Sequence, residues 1–296
     1  MQPLNQPESN QADGTLRLGL AGSGDFRWAI VDLSGPLEAL RRRLDPSPVA
    51  AVAIGRCLSA AALLLRFSTK DPGRLRFELL GDGPLGKVIA EVSSDGLMRA
   101  MADELRFAGV DGNPLDVGAA VGTGLLRVTQ ENAQHKNPYV SQTELVSGNV
   151  GDDVVRYLEQ SLQIRSAALL TTKPATSGIV AAGGLLVEAL PGADESRLVR
   201  LEKNIATLGD LGALVESGGE QGLLAAVMDG FDIEELEEHT LRYGCACSRD
   251  VLLQRLMALP PEDLQEVADD AGKATLECAF CLGHMTFSVD ELQAAN

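Results

Sequence analysis

The 296-residue sequence predicts an α+β protein. Its parts are an N-terminal core of mixed sheet and helix over residues 15–192, a helical linker over 193–244 and a small C-terminal module over 245–296. A disordered polar tail, residues 1–14, precedes them. Three observations carry this reading. Strand-like and helix-like stretches alternate without a regular βαβ repeat. Charge and glycine content change after Pro191-Gly192. Four of the five cysteines stand beyond residue 244.

In order, Leu16, Leu18 and Leu20 alternate, as do Phe26, Trp28 and Ile30, and Gly22-Ser-Gly24 between them predicts two strands and a turn. Pro48 to Phe67 reads as a long buried helix, with proline at its start where a missing N–H costs nothing. Cys57 lies within it as a small core residue. Arg74, Arg76 and Glu78 alternate with Leu75, Phe77 and Leu79, a half-buried strand. Gly81-Asp-Gly-Pro-Leu-Gly86 turns the chain, and Lys87 to Val92 returns it. That glycine run lacks the Lys-Ser/Thr ending and the following helix of a phosphate loop. Two more strands are expected at Gly124–Thr129 and Tyr139–Val146. A helix from Asp152 to Leu162 opens with two acids, which suits its positive N-terminus. Ala167–Thr172 and Ile179–Ala189 are apolar again.

From Ala193 to Gly244 twelve acidic residues face four basic ones. Leu198, Leu201, Ile205 and Leu208 sit at helical spacing, and Leu211, Leu214, Leu223 and Leu224 continue in pieces broken by glycine. Such helices are marginal alone and need a surface to lie on. In the module, Ser248 is placed to cap a helix to about Ala258, and Pro261 to start a second, to about Asp270. Thr275 to Phe287 reads as a hairpin, and Ser288-Val-Asp-Glu291 as a capping box.

The cysteines carry the chemistry. Cys245 and Cys247 lie in Tyr243-Gly-Cys-Ala-Cys-Ser-Arg249, and Cys278 and Cys281 follow in Leu276-Glu-Cys-Ala-Phe-Cys-Leu-Gly283. Two close pairs of thiolates can each grip two corners of a tetrahedron, so the spacing predicts one zinc ion. Four cysteines leave no open position for catalysis at the metal. The alternative on spacing alone is a pair of structural disulfides. Each spacing is also short enough for the sulfurs to bond together once a metal leaves. His284, nearby, is expected on a strand face; His135 and His239 have no Cys or Ser partner in sequence and are expected at the surface.

Composition limits the partners. Hydrophobic residues make up 45% of the chain and aromatics 4%, and the net charge is −17. That charge repels nucleic-acid phosphates and anionic membranes, so neither is expected as a partner. The N-terminus has no basic start and no apolar core, and no apolar run reaches spanning length; Ala60-Ala-Ala-Leu-Leu-Leu65 ends at Arg66. A cytoplasmic protein with reduced thiols is expected.

The chain resembles the bacterial heat-shock protein 33 family of redox-regulated chaperones. Tyr243-Gly-Cys-Ala-Cys-Ser-Arg249 and Cys278-Ala-Phe-Cys281 carry the resemblance. So do Gly81-Asp-Gly-Pro-Leu85, Ser147-Gly148 before a helix containing Tyr157, and Ala182-Gly-Gly-Leu-Leu186 leading to Leu190-Pro-Gly-Ala193. Two positions depart from the family pattern: Met98-Arg-Ala-Met101 stands where Arg-Gly-Tyr is usual, and Asn149 follows the Ser-Gly pair in place of an acid. The resemblance implies that Cys245, Cys247, Cys278 and Cys281 bind one zinc in a reduced, inactive state. Oxidation would then form Cys245–Cys247 and Cys278–Cys281 disulfides, release zinc and unfold module and linker. The protein would dimerise and hold unfolding clients without ATP, as a holdase and not an enzyme. Two other readings compete: a thiol–disulfide oxidoreductase using Cys278-x-x-Cys281, and a constitutive zinc-stapled binding module.

Overall fold

The computed structural model describes residues 12–68, 73–132, 137–257 and 273–288. The chain divides into a compact unit of Gln11–Tyr243 and a second containing Gly244–Asn296. The class is α+β. In the larger unit the expected strand pair forms as β1 (Gly14–Ala21) and β2 (Phe26–Asp32). Gly14, assigned to the tail by sequence, already belongs to β1. Helix α1 (Ser34–Leu44) follows, then α2 (Pro48–Ser68). The hairpin over the glycine turn is β3 (Arg74–Gly81) and β4 (Lys87–Ser93), joined by β5 (Leu97–Ala102). After the short helix α3 (Val117–Val121) come β6 (Gly124–Glu131) and β7 (Tyr139–Glu144). The expected helix from Asp152 is α4 (Gly151–Tyr157), which continues as a π-helical turn, Leu158–Leu162. Strands β8 (Ser166–Ala175) and β9 (Gly178–Ala189) complete the part expected as core.

Helix α2 is the centre. By length and composition it passes for a membrane span, yet 89% of its apolar window is buried inside the protein. It packs on β3 and β4 on one side and on β8 and β9 on the other, so the sheet curls around it. Cys57 is fully buried there, and burial pushes its thiol well above the usual range. It is a core residue, as its setting in an apolar helix predicted. The glycine turn supports packing: a Cβ on Gly81 would stand 1.9 Å from the carbonyl oxygen of Val121 in α3. At the start of α4, Val150 adopts a left-handed backbone (φ 73). Fully buried Asp153 holds this turn by accepting from the amides of Val146, Ser147 and Val150, at 2.7, 3.2 and 3.0 Å.

Residues 193–244 differ from the helical linker expected. Helix α5 (Glu195–Ala206) is capped by Asp194, and α6 (Leu211–Val227) by Asp210. Helix α6 bends at Gly219, whose backbone leaves the helical region (φ 64, ψ −167). The two lie over β2 and β9, where Leu198, Leu201, Leu223, Leu224 and Val227 bury Phe26, Trp28 and Ile30. Residues Ile233–Tyr243, however, form a strand, β10. Its Glu-Glu-Leu-Glu-Glu run favours helix by propensity, and pairing with β1 overrides that preference. The sheet has ten strands in the order β7-β6-β3-β4-β5-β10-β1-β2-β9-β8.

Candidate metal centre

The second unit is built around the cysteines. Helix α7 (Arg249–Met257) starts where the sequence placed it, with Ser248 Oγ accepting from the Val251 amide at 3.2 Å. The expected hairpin is β11 (Lys273–Glu277) and β12 (His284–Ser288), with Ala274 opposite Phe287 and Leu276 opposite Met285. The expected helix from Pro261 and the capping box at Ser288–Glu291 extend into residues outside those described, as does His135. Between β11 and β12 the chain makes a knuckle. The amides of Cys281 and Leu282 donate to the Cys278 carbonyl at 3.2 and 2.7 Å, and the Cys278 amide donates to the Gly283 carbonyl at 3.0 Å. Leu282 takes the left-handed conformation (φ 52) that closes it. Arg249 stacks over the Phe287 ring at 4.4 Å and donates to the Thr286 carbonyl at 2.8 Å. This clamp ties the first cysteine segment to the hairpin. Sequence reasoning missed it, because no spacing rule links Arg249 to Phe287.

All four predicted residues meet. The sulfurs of Cys245, Cys247, Cys278 and Cys281 lie within 4.8 Å of one another. Cys245 and Cys278 are 3.6 Å apart, and Cys247 and Cys281 are 3.4 Å apart. A zinc–sulfur bond of about 2.3 Å sets a tetrahedral edge of about 3.8 Å, whereas a disulfide needs about 2.05 Å. The cluster therefore has the size of a metal-binding tetrahedron, and none of the four sulfurs is joined to another in a disulfide. Cys247 and Cys281 are buried and the other two half-buried.

Electrostatics point the same way. Hydrogen bonds from Cys245 and Cys281 hold the Cys278 thiol far below its usual range. Contacts with Cys245 and Cys278 push Cys281 far up, and burial pushes Cys247 up to about 12. Sulfurs this close cannot all ionise unless a cation sits among them. The four cysteines are close enough to hold a metal ion, and an all-sulfur set suits a soft or borderline one.

The two described histidines lie apart from the cluster's ligand set. His284 lies on the hairpin surface, 3.4 Å from Glu277. His239 sits on β10, 2.9 Å from Glu237. Cys278 and Cys281 occupy a hairpin turn, whereas an oxidoreductase motif of this spacing opens a helix.

Comparison with known proteins follows the same lines. The family described as "Hsp33 protein" matches residues 14–288. The 33 kDa chaperonin of Symbiobacterium thermophilum is 37% identical over 281 residues, covering 92% of this chain and 94% of its own. That of Desulforamulus reducens is 34% identical over 278 residues, covering 93% and 94%. The crystal structure of the 33 kDa chaperonin (heat shock protein 33 homolog) of Thermotoga maritima aligns with a TM-score of 0.86 at 27% identity, over 95% of this chain and 96% of that one. The matched length takes in the sheet, the helices of 193–244 and the cysteine cluster alike, and on these grounds the chain belongs to the heat-shock protein 33 family of molecular chaperones.

Proposed function

We propose that the chain is a redox-regulated holdase: inactive when reduced and zinc-bound, active when oxidised, independent of ATP and without enzymatic turnover. The observation that carries this is the four-sulfur cluster at the centre of the module. Among the described residues, the buried apolar side chains beside Cys247 and Cys281 are Leu256, Ala274, Met285 and Phe287. Zinc, when bound, keeps the four sulfurs as thiolates and supplies folding free energy on the order of 10 kcal/mol. Thiolates are the form that oxidants attack.

Activation consumes an oxidant such as hydrogen peroxide. Two thiolates of a pair give up two electrons and form one S–S bond. The peroxide O–O bond breaks, takes two protons and leaves two waters. Cys245 pairs with Cys247 and Cys278 with Cys281, which frees the metal. The module then unfolds, and at elevated temperature residues 193–244 follow, uncovering the apolar face around Phe26, Trp28 and Ile30. The activated protein dimerises and holds unfolded clients in the cytoplasm, and it binds neither nucleic acid nor membrane.

Light scattering from a heat-unfolded client tests this. The protein is added either reduced and zinc-loaded or after peroxide at elevated temperature. Suppression only by the oxidised form is expected. Equal suppression by both forms leaves a constitutive chaperone with a structural metal, and suppression by neither refutes the holdase.

A further inference from the structure

Strand β10 joins two part-sheets, five strands on one side and four on the other. Its pairing is lopsided. With β1 it pairs from Gly14↔Leu241 to Ala21↔Ile233, but with β5 it pairs only at Arg242↔Leu97 and Tyr243↔Met98. Along Ile233–Leu241 its other edge has no strand partner among the described residues.

Side chains hold β10 poorly. Ile233 through Glu238 are exposed, including Ile233 at 44% and Leu236 at 56%; only Leu241 and Tyr243 are buried. The register skips Leu236, passing from Leu18↔Glu237 to Gly19↔Glu235. At that bulge the backbones approach so closely that a Cβ on Gly19 would stand 2.0 Å from the Glu234 carbonyl oxygen. What binds β10 is therefore mostly main-chain pairing, which any extended chain can offer. β1, in contrast, is anchored from its other side by seven register pairs with β2, from Thr15↔Asp32 to Ala21↔Phe26.

The charges agree. Arg17 of β1 is held by Glu220 of α6 at 3.2 Å and Glu235 of β10 at 3.1 Å. Both partners belong to residues 193–244. Glu234, Glu235, Glu237 and Glu238 are weak strand formers, and their charges keep β10 from pairing with other chains once it is loose.

We propose that the edge of β1 over Gly14–Ala21 is a client-binding site, vacated by β10 on activation and refilled by an extended, β-competent segment of an unfolded polypeptide. The proposal rests on the oxidation-driven release of residues 193–244 described above. Main-chain hydrogen bonds supply affinity without regard to sequence, which suits a holdase that meets many clients. A segment rich in β-branched and apolar residues outcompetes the glutamate-rich β10 for this edge.

Amide hydrogen exchange on the full chain tests it. Three samples are compared: reduced and zinc-loaded; oxidised with heat; and oxidised with reduced, carboxymethylated α-lactalbumin, a permanently unfolded chain. In an antiparallel strand alternate amides face opposite neighbours, so half of the β1 amides face β10 and half face β2. The β10-facing set is expected to lose protection on oxidation by about a hundredfold or more, and to regain it with the client. The β2-facing set stays protected throughout and serves as the internal reference. Persistent protection of the β10-facing set, in an oxidised sample that suppresses aggregation, overturns the proposal. So does failure of that set to regain protection when the client is bound. Oxidised protein that suppresses no aggregation overturns the activation reading instead, and the edge site with it.

Discussion

Removing the metal from the reduced protein is expected to unfold the C-terminal module and to spare the sheet. Among the described residues, the module's buried core beside its cysteines is Leu256, Met285 and Phe287 with the single methyl of Ala274. At about 2 kcal/mol for each large side chain and less for the alanine, this burial contributes roughly 7 kcal/mol. Metal ligation contributes on the order of 10 kcal/mol or more. Without it these described side chains must offset the ordering of the α7 segment, the knuckle and both hairpin strands, at about 1 kcal/mol or more per residue, with the larger stabilising term gone. The larger unit has no such dependence, because Trp28, Phe26, Phe77 and Tyr157 are all fully buried in its own cores. The assay is a chelator titration under reducing, anaerobic conditions at 25 °C. Metal release is read with an indicator dye, hairpin integrity by exchange of the β11 and β12 amides, and the larger unit by emission of Trp28, the one tryptophan of the chain. The expected result is loss of hairpin protection in step with metal release at constant Trp28 emission. Hairpin amides that stay protected after complete metal removal refute the reasoning, since the small core would then suffice.

Other perturbations separate the remaining parts. Leu223→Ala removes a buried contact of α6 from the face over Trp28, costs about 2–5 kcal/mol and lowers the temperature at which Trp28 emission shifts to the red in oxidised protein. Gly19→Val forces a side chain against the Glu234 carbonyl and the Trp28 ring, costs about 1–3 kcal/mol and lowers the thermal midpoint by several degrees, measured by circular dichroism. Glu38 accepts from Arg41 at 2.7 Å and from the Ile179 amide at 3.0 Å, and the Arg41 hydrogen bond is the main cause that lowers its carboxyl to about 2. Because the folded value lies below the unfolded one, its contribution is complete above about pH 4.5 and disappears as pH falls toward 2. Glu38→Gln is expected to lower the denaturant midpoint at pH 7 and to flatten its fall between those values. Disulfide mapping of oxidised protein by mass spectrometry should return Cys245–Cys247 and Cys278–Cys281. In the folded cluster Cys245 also lies 3.6 Å from Cys278 and Cys247 3.4 Å from Cys281, so those cross-pairs in the map would refute the local scheme.

The cluster was legible because its information is local. Two short spacings place each cysteine pair in one tight turn, and the only long-range fact needed was that the turns meet. The strands with alternating patterns, β1 to β3, were legible for the same reason, and β4 followed from the glycine turn before it. Helix α1 was passed over, although Leu33, Leu37, Leu40 and Leu44 mark its buried face at helical spacing. β5 was missed because Met98, Ala100 and Ala102 turn inward with small or flexible side chains and weak strand preference. The Arg249–Phe287 clamp depends on how α7 meets the hairpin, which no pattern in the chain encodes.

The misreading of Ile233–Tyr243 has a physical cause that bears on function. Its glutamates and leucine favour helix, yet β1 draws it into a strand whose side chains gain little burial. Local preference and tertiary pairing disagree, and a fold that holds a segment against its own propensity holds it weakly. The disagreement falls on the residues immediately before Cys245 and Cys247 in sequence. A strand placed there for permanent stability would carry β-branched residues on both sides of Leu236; this one carries glutamates. Replacing Glu235 and Glu237 by Thr removes the conflict and the Arg17–Glu235 pair together, the latter an exposed contact contributing about 1 kcal/mol or less. If the weakness of β10 sets the activation threshold, the double variant requires a higher temperature in peroxide before it suppresses aggregation. An unchanged threshold in the light-scattering assay would show that β10 leaves for reasons unrelated to its own sequence.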